Sequence, residues 1–203
     1  EKVIPILRNI AHSTKKRGED KGFRGIGRLG GLGYCSKLIF ETSYSGENVC
    51  STMTWDADLL KQIINDRNTS EEAVDVLSRV TTTSTKKEAV EKHYFKVIME
   101  NVSSDELLNI DSVKNYLSMV APVDISSKFL FSSQISDFIK KHGLKVDIYN
   151  IYINGEQIYK PYTTYIYGDD NQGGKKKVDE ILGVDFLLAK DDDGNIIYWG
   201  WYS

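Results

Sequence analysis

The residues with the clearest chemical potential lie in a glycine-rich run near the N-terminus, where six glycines fall within twelve residues. Gly22, Gly25 and Gly27 fit the spacing G-x-x-G-x-G and precede a stretch with a helical pattern. Glycine lets the backbone approach an anion closely, and main-chain N–H groups can bind phosphate without a charged side chain. Arg24 and Arg28 can add charge-assisted hydrogen bonds. The run therefore indicates a phosphate site formed by the backbone.

The same run has a structural explanation, which the sequence leaves open. Gly30, Gly31 and Gly33 can equally allow close packing of a helix, and Arg28 can be a solvated helix residue. Two familiar phosphate motifs fit poorly. A Rossmann fingerprint follows a buried strand, whereas residues 12–21 are polar and carry Lys-Lys-Arg-Gly-Glu-Asp. A Walker A loop needs Gly-Lys-Ser/Thr after its last glycine, and this sequence has no such tripeptide.

Composition indicates a folded protein. The chain has 203 residues, a net charge of −3 and 40% hydrophobic residues, and no apolar run approaches the roughly 20 residues of a membrane helix. Cys35 and Cys50 are the only cysteines, and we expect both to be reduced thiols in a cytoplasmic protein. Residues 143–203 carry six basic and ten acidic side chains, which disfavours nucleic acid as a partner. We expect no membrane partner.

Hydrophobic periodicity predicts helices mixed with strands up to residue 142 and strands alone after it. Gly143 ends a helical pattern, which places a domain boundary there. We expect helices over 1–11, 56–64, 111–120 and 132–142, strands over 38–44, 49–55, 76–83 and 93–102, and hairpins around Asn154-Gly155 and Asp193-Gly194.

This order of elements resembles the GHKL ATPase superfamily, which includes gyrase B, the ninety-kilodalton heat-shock chaperone, histidine kinases and MutL. Ser13-Thr14-Lys15 is similar to the start of the family's ATP lid, and Gly22-Phe23-Arg24-Gly25 to its second glycine box. Bacterial heat-shock-chaperone-like and Morc-like members look most similar, through Gly-Ile-Gly-Arg-Leu-Gly-Gly-Leu-Gly-Tyr-Cys at residues 25–35.

The resemblance implies an α+β fold. Residues 1–142 would be part of a two-layer α/β sandwich, the ATP-binding domain, with a mixed or antiparallel sheet. Residues 143–203 would begin a β-rich second domain similar to the family's transducer domain. We expect the chain to be a piece of a longer protein, because it lacks the family's Asp-x-Gly-x-Gly motif.

The resemblance also implies ligands and site residues. ATP or ADP would bind with Mg²⁺, and the family's water-activating Glu and magnesium-binding Asn would precede residue 1. We therefore expect no catalytic or metal-binding residue in this chain, which would bind nucleotide weakly and not hydrolyse it. The parent protein would be an ATPase that changes conformation, with a client protein and a homodimer as partners. The triphosphate would contact seven residues: Gly22, Phe23, Arg24, Gly25, Ile26, Gly27 and Arg28. The lid would contain Ser13, Thr14 and Lys15.

The sequence departs from the family at one strand, where His93-Tyr94 stands in place of the usual Gly-Thr near adenine. Two other functions also remain open. In a protein-interaction module the glycine run is structural and residues 143–203 offer strand edges to a partner. A Rossmann-type enzyme would need a parallel sheet and a nicotinamide cofactor.

Overall fold

The computed structural model describes residues 3–8, 26–68, 71–170 and 172–203. It contains both helices and a mostly antiparallel sheet, which confirms the expected α+β class. The chain divides into two compact units, Glu1–Leu108 and Asn109–Ser203. Among the described residues, no helix is long and apolar enough to cross a membrane.

The first unit is built on a four-stranded sheet with the order β3-β2-β1-β4, in which all neighbours are antiparallel. Its helices are α1 (Val3–Arg8), a 3₁₀ helix (Gly27–Gly33), α2 (Ala57–Asn65), α3 (Ala73–Val80) and α4 (Asp105–Leu108). Its strands are β1 (Lys37–Ser43), β2 (Val49–Asp56), β3 (Thr81–Lys87) and β4 (Tyr94–Glu100).

One face of this sheet carries the core of the first unit. Leu38 lies opposite Trp55, and Phe40 lies opposite Met53, so these four buried side chains point to the same face. Apolar residues of α1, the 3₁₀ helix, α2 and α3 pack against them. The first unit is therefore a sheet with these helices on one face, which is the arrangement expected of a two-layer sandwich.

The predicted helix at residue 56 is confirmed by its cap, because the Asp56 carboxylate accepts a hydrogen bond from the Leu59 N–H at 2.9 Å. The predicted strand over 76–83 is wrong in its first half. Residues 73–80 form α3, and Val76, Leu77 and Val80 pack one face of that helix onto the core. Burial of an amphipathic face outweighs the strand preference of β-branched residues.

The second unit joins two helices to three separate two-stranded ribbons. Its elements are α5 (Ile110–Val120), α6 (Ser132–Lys141), β5 (Tyr152–Ile153), β6 (Glu156–Gln157), β7 (Tyr165–Asp169), β8 (Lys175–Glu180), β9 (Asp185–Lys190) and β10 (Ile196–Tyr202). The two predicted hairpins are present, with turns at Asn154-Gly155 and at residues 192–194 between β9 and β10.

The division into compact units does not coincide with the predicted boundary at residue 143. Helix α5 contributes Leu117 to a cluster with Ile158, and α6 contributes Ile135 to a cluster with Phe186 and Trp201. Both helices therefore bury their apolar faces against later strands and loops. Gly143 does end α6 in the left-handed conformation, at φ +62°, but it ends a helix within a unit.

Candidate functional site

The structure describes three of the ten residues predicted to contact nucleotide. Ile26, Gly27 and Arg28 lie at the start of the 3₁₀ helix. The remaining seven predicted residues lie outside the described part of the chain: Ser13, Thr14, Lys15, Gly22, Phe23, Arg24 and Gly25. The geometry of the candidate site therefore rests on the second half of the glycine run.

The 3₁₀ helix has a local main-chain hydrogen bond at each end and packs on the core through two leucines. The Leu29 N–H donates to the Ile26 carbonyl at 3.0 Å at its start, and the Tyr34 N–H donates to the Gly31 carbonyl at 3.0 Å at its end. Leu29 and Leu32 pack against the core cluster. The Cys35 thiol donates to the Gly31 carbonyl at 3.1 Å, and burial raises the pKa of this thiol. This half of the run is thus fixed on the sheet.

The four glycines of the helix have different surroundings. A Cβ on Gly31 would lie 2.9 Å from Met99 Sδ and 3.1 Å from Leu38 Cδ1, so Gly31 is a packing glycine. A Cβ on Gly27, Gly30 or Gly33 would meet no described atom within 4 Å. None of these three has a left-handed φ. Packing thus explains one glycine of the helix, and neither packing among described residues nor backbone conformation explains the other three.

Arg28 connects the 3₁₀ helix to α1. Its Nη2 donates to the main-chain carbonyl of Ile6 at 3.0 Å, in the last turn of α1. A guanidinium at the C-terminal carbonyls of a helix is a favourable arrangement, because these carbonyls lack partners within the helix. The structure therefore assigns Arg28 a positioning contact that the sequence did not predict, and phosphate contact by the same side chain remains a prediction.

At the start of β4, His93 and Tyr94 contact side chains of neighbouring segments of the first unit. The His93 ring lies edge-on to Tyr44, with centroids 4.9 Å apart. Tyr94 Oη donates to Glu88 Oε2 at 2.9 Å. Hydrogen bonding with the Cys50 thiol and with the Glu88 carboxylate raises the pKa of Tyr94. The ring contact joins the start of β4 to the end of β1, and the Tyr94 contacts join it to β2 and to the segment that follows β3.

Two concavities of the first unit lie away from the described glycines. One, of about 270 Å³, lies between α1 and the ends of β1 and β2, with Ile6, Thr42 and Ser51 in its lining. The other, of about 450 Å³, lies beside the first turn of α2, with Ser36, Asp56 and Asn101 in its lining. Neither is lined by Ile26, Gly27 or Arg28. Over the described ranges, no group of three or more His, Cys, Asp or Glu side chains is placed to hold a metal ion.

Comparisons with known proteins give no further assignment, since no family model, no curated protein and no solved structure matches the chain.

Proposed function

We propose that this chain binds the triphosphate of ATP through main-chain N–H groups of its glycine run, as part of a chaperone-like GHKL ATPase. The observation that carries the proposal is the open space at Gly27, the first residue of the 3₁₀ helix, where a Cβ would meet no described atom within 4 Å and φ is not left-handed. Gly33 shares the open space but lies at the other end of the helix, where carbonyls rather than N–H groups lack partners within the helix. A glycine that neither packing nor conformation requires fits a position where a ligand approaches the backbone closely. The resemblance extends this contact to Gly22, Phe23, Arg24 and Gly25.

The chemistry follows from fixed dipoles. Main-chain N–H groups held by the 3₁₀ helix neutralise phosphate charge without reorganising, and residues 13–15 begin the lid that covers the nucleotide. Mg²⁺ would neutralise further charge, but the resemblance places its ligand and the water-activating carboxylate outside this sequence. We therefore propose that the chain itself binds nucleotide without hydrolysing it. In the parent protein, lid closure would change the conformation of a homodimer or of a bound client protein. Cys35 and Cys50 are both free thiols, in keeping with a cytoplasmic location.

Calorimetric titration with a non-hydrolysable ATP analogue and Mg²⁺ tests the proposal. We expect Gly27→Ala to weaken binding about tenfold, the effect of losing roughly 1.4 kcal/mol of backbone contact. Gly33→Ala is the matched control, because it is the same change at the other end of the helix and its Cβ is equally unobstructed. Both variants should melt at or slightly above the temperature of the unchanged chain. Equal affinities for the two variants would contradict a phosphate contact at Gly27.

A protein-interaction module is the second candidate, favoured by the edge of the sheet at β4. Within the described residues β4 pairs with β1 alone. Phe95 and Val97 point to the helix-bearing face of the sheet but remain 55% and 51% exposed. An open edge with apolar side chains can accept a partner strand. Absence of nucleotide binding in the titration would make this candidate the leading one.

A further inference from the structure

The second unit contains a groove of about 360 Å³ that the nucleotide proposal does not use. One side is the loop that carries Lys128 and Phe129, and the other is the segment that carries Tyr162, Tyr165 and Tyr167. All three tyrosines are partly exposed. The volume is within the range of small-molecule sites, and aromatic walls are typical of them.

The groove is held by contacts beneath it. Phe129 is only 2% exposed, and its ring centroid lies 5.8 Å from those of both Tyr162 and Trp201. Tyr162 also meets Trp201 edge-on at 5.0 Å. The Leu130 N–H donates to Thr164 Oγ1 at 3.3 Å, which joins the two sides. A ligand would therefore meet aromatic surfaces that are already positioned, which lowers the entropic cost of binding.

The polar groups of the groove are hydroxyls and one ammonium. Ser126 and Thr164 contribute hydroxyls beside those of the tyrosines, and a hydroxyl can both donate and accept. The Thr163 hydroxyl also lines the groove but donates to the Tyr165 carbonyl at 2.9 Å. Lys128 supplies the positive charge. Among the described lining residues none bears a carboxylate, although residues 109–203 contain thirteen acidic side chains against ten lysines. This local charge selects an anionic ligand over a cationic one.

Neighbouring charges support this polarity. Lys177 Nζ lies 4.1 Å from the centroid of the Tyr165 ring, but its charge is compensated by a hydrogen-bonded ion pair with Glu180, which leaves Lys128, among the described residues, as the uncompensated cation of the groove lining. The Glu156 carboxylate accepts a hydrogen bond from Lys114, which holds the pKa of that carboxyl below its usual value. The charge of Lys128 also lowers this pKa. That carboxylate is therefore already neutralised by another lysine.

We propose that this groove binds a small molecule that consists of a ring and a phosphate monoester attached to it. The ring packs against Tyr162 and Tyr165, and the phosphate accepts hydrogen bonds from Lys128 Nζ and the nearby hydroxyls. Two ligands share this chemistry, a nucleoside monophosphate and a sugar phosphate. All residues of the site belong to the second unit, and its argument does not depend on the proposed ATP contact.

Residue-resolved NMR titration of the whole chain tests the groove. The probes are AMP, glucose 6-phosphate, their neutral counterparts adenosine and glucose, and inorganic phosphate. We expect saturable shifts in the amide signals of residues 162–167 with at least one ring phosphate; tighter binding of AMP identifies a nucleotide ligand, and tighter binding of glucose 6-phosphate a sugar phosphate. Absence of saturable shifts with both ring phosphates would overturn the proposal. So would equal binding of the neutral counterparts, or inorganic phosphate that binds as tightly as the ring phosphates.

Two substitutions separate the groove from other anion binding. Lys128→Met should weaken ring-phosphate binding about tenfold through loss of a charge-assisted hydrogen bond. Lys190→Met is the control, because Lys190 is an exposed lysine of the same unit on β9. Gly27→Ala should leave these shifts unchanged, which distinguishes failure of this proposal from failure of the ATP proposal. Equal losses for the two lysine variants would indicate non-specific attraction and would overturn the assignment.

Discussion

Gly31 is the glycine whose replacement we expect to destabilise the first unit, whereas replacement of its neighbour Gly30 should stabilise it. Gly→Ala at a compatible φ raises the free energy of unfolding by about 0.4–1 kcal/mol, because the unfolded chain loses freedom. Gly30→Ala should show this gain alone, since its Cβ meets no described atom within 4 Å. Gly31→Ala has the same gain but places its Cβ 2.9 Å from Met99 Sδ and 3.1 Å from Leu38 Cδ1.

Overpacking of this kind costs about 1–3 kcal/mol, so Gly31→Ala should lower the free energy of unfolding by about 1 kcal/mol net. For a unit of this size that corresponds to a fall in melting temperature of about 4–8 °C. Urea titration followed by the indole N–H signal of Trp55 reports on the first unit alone, because the other tryptophans lie in the second. Met99→Val should recover part of the loss in a double-mutant cycle. If Gly31→Ala proved as stable as Gly30→Ala, the distinction between packing and open glycines would be wrong.

Three further predictions concern contacts around the site. Asp56→Ala should lower the free energy of unfolding by about 1 kcal/mol through loss of the α2 cap, measured by urea denaturation, with the exposed Asp58→Ala as a control that changes little. Arg28→Met should speed hydrogen exchange in α1, because it removes the bond that holds the end of that helix; unchanged exchange would deny Arg28 its positioning role. The raised pKa of Tyr94 means that its contribution is complete below the unfolded pKa of about 10 and is lost as pH rises beyond it. Tyr94→Phe should therefore flatten the fall in stability above pH 10 in alkaline denaturation.

Local signals in the sequence predicted much of the fold. The strands β1, β2 and β4 and the hairpin at Asn154-Gly155 follow from alternation and turn chemistry over a few residues. Helix α3 was missed because its β-branched residues favour a strand locally. The spacing of Ala73, Val76, Leu77 and Val80 fits one face of a helix and was the local signal that could have found it.

The domain boundary and the candidate site depend on distant contacts. Gly143 marks the end of a helix in any context, so the sequence could not show that α6 packs onto Phe186 and Trp201. The glycines of the 3₁₀ helix look equivalent in sequence. Met99 and Leu38 distinguish Gly31 from the others, and their contacts with it exist only in the folded sheet. The clustering of Tyr162, Tyr165 and Tyr167 was visible in sequence, but their shared groove with Lys128 was not.

The central claim is that the backbone of the glycine run contacts a triphosphate. The most direct measurement is an amide NMR titration of the whole chain with a non-hydrolysable ATP analogue and Mg²⁺, resolved by residue. The account predicts saturable shifts at Ile26, Gly27 and Arg28 that Gly27→Ala diminishes and Gly33→Ala preserves. Saturable shifts elsewhere in the chain with none at these three amides would contradict it.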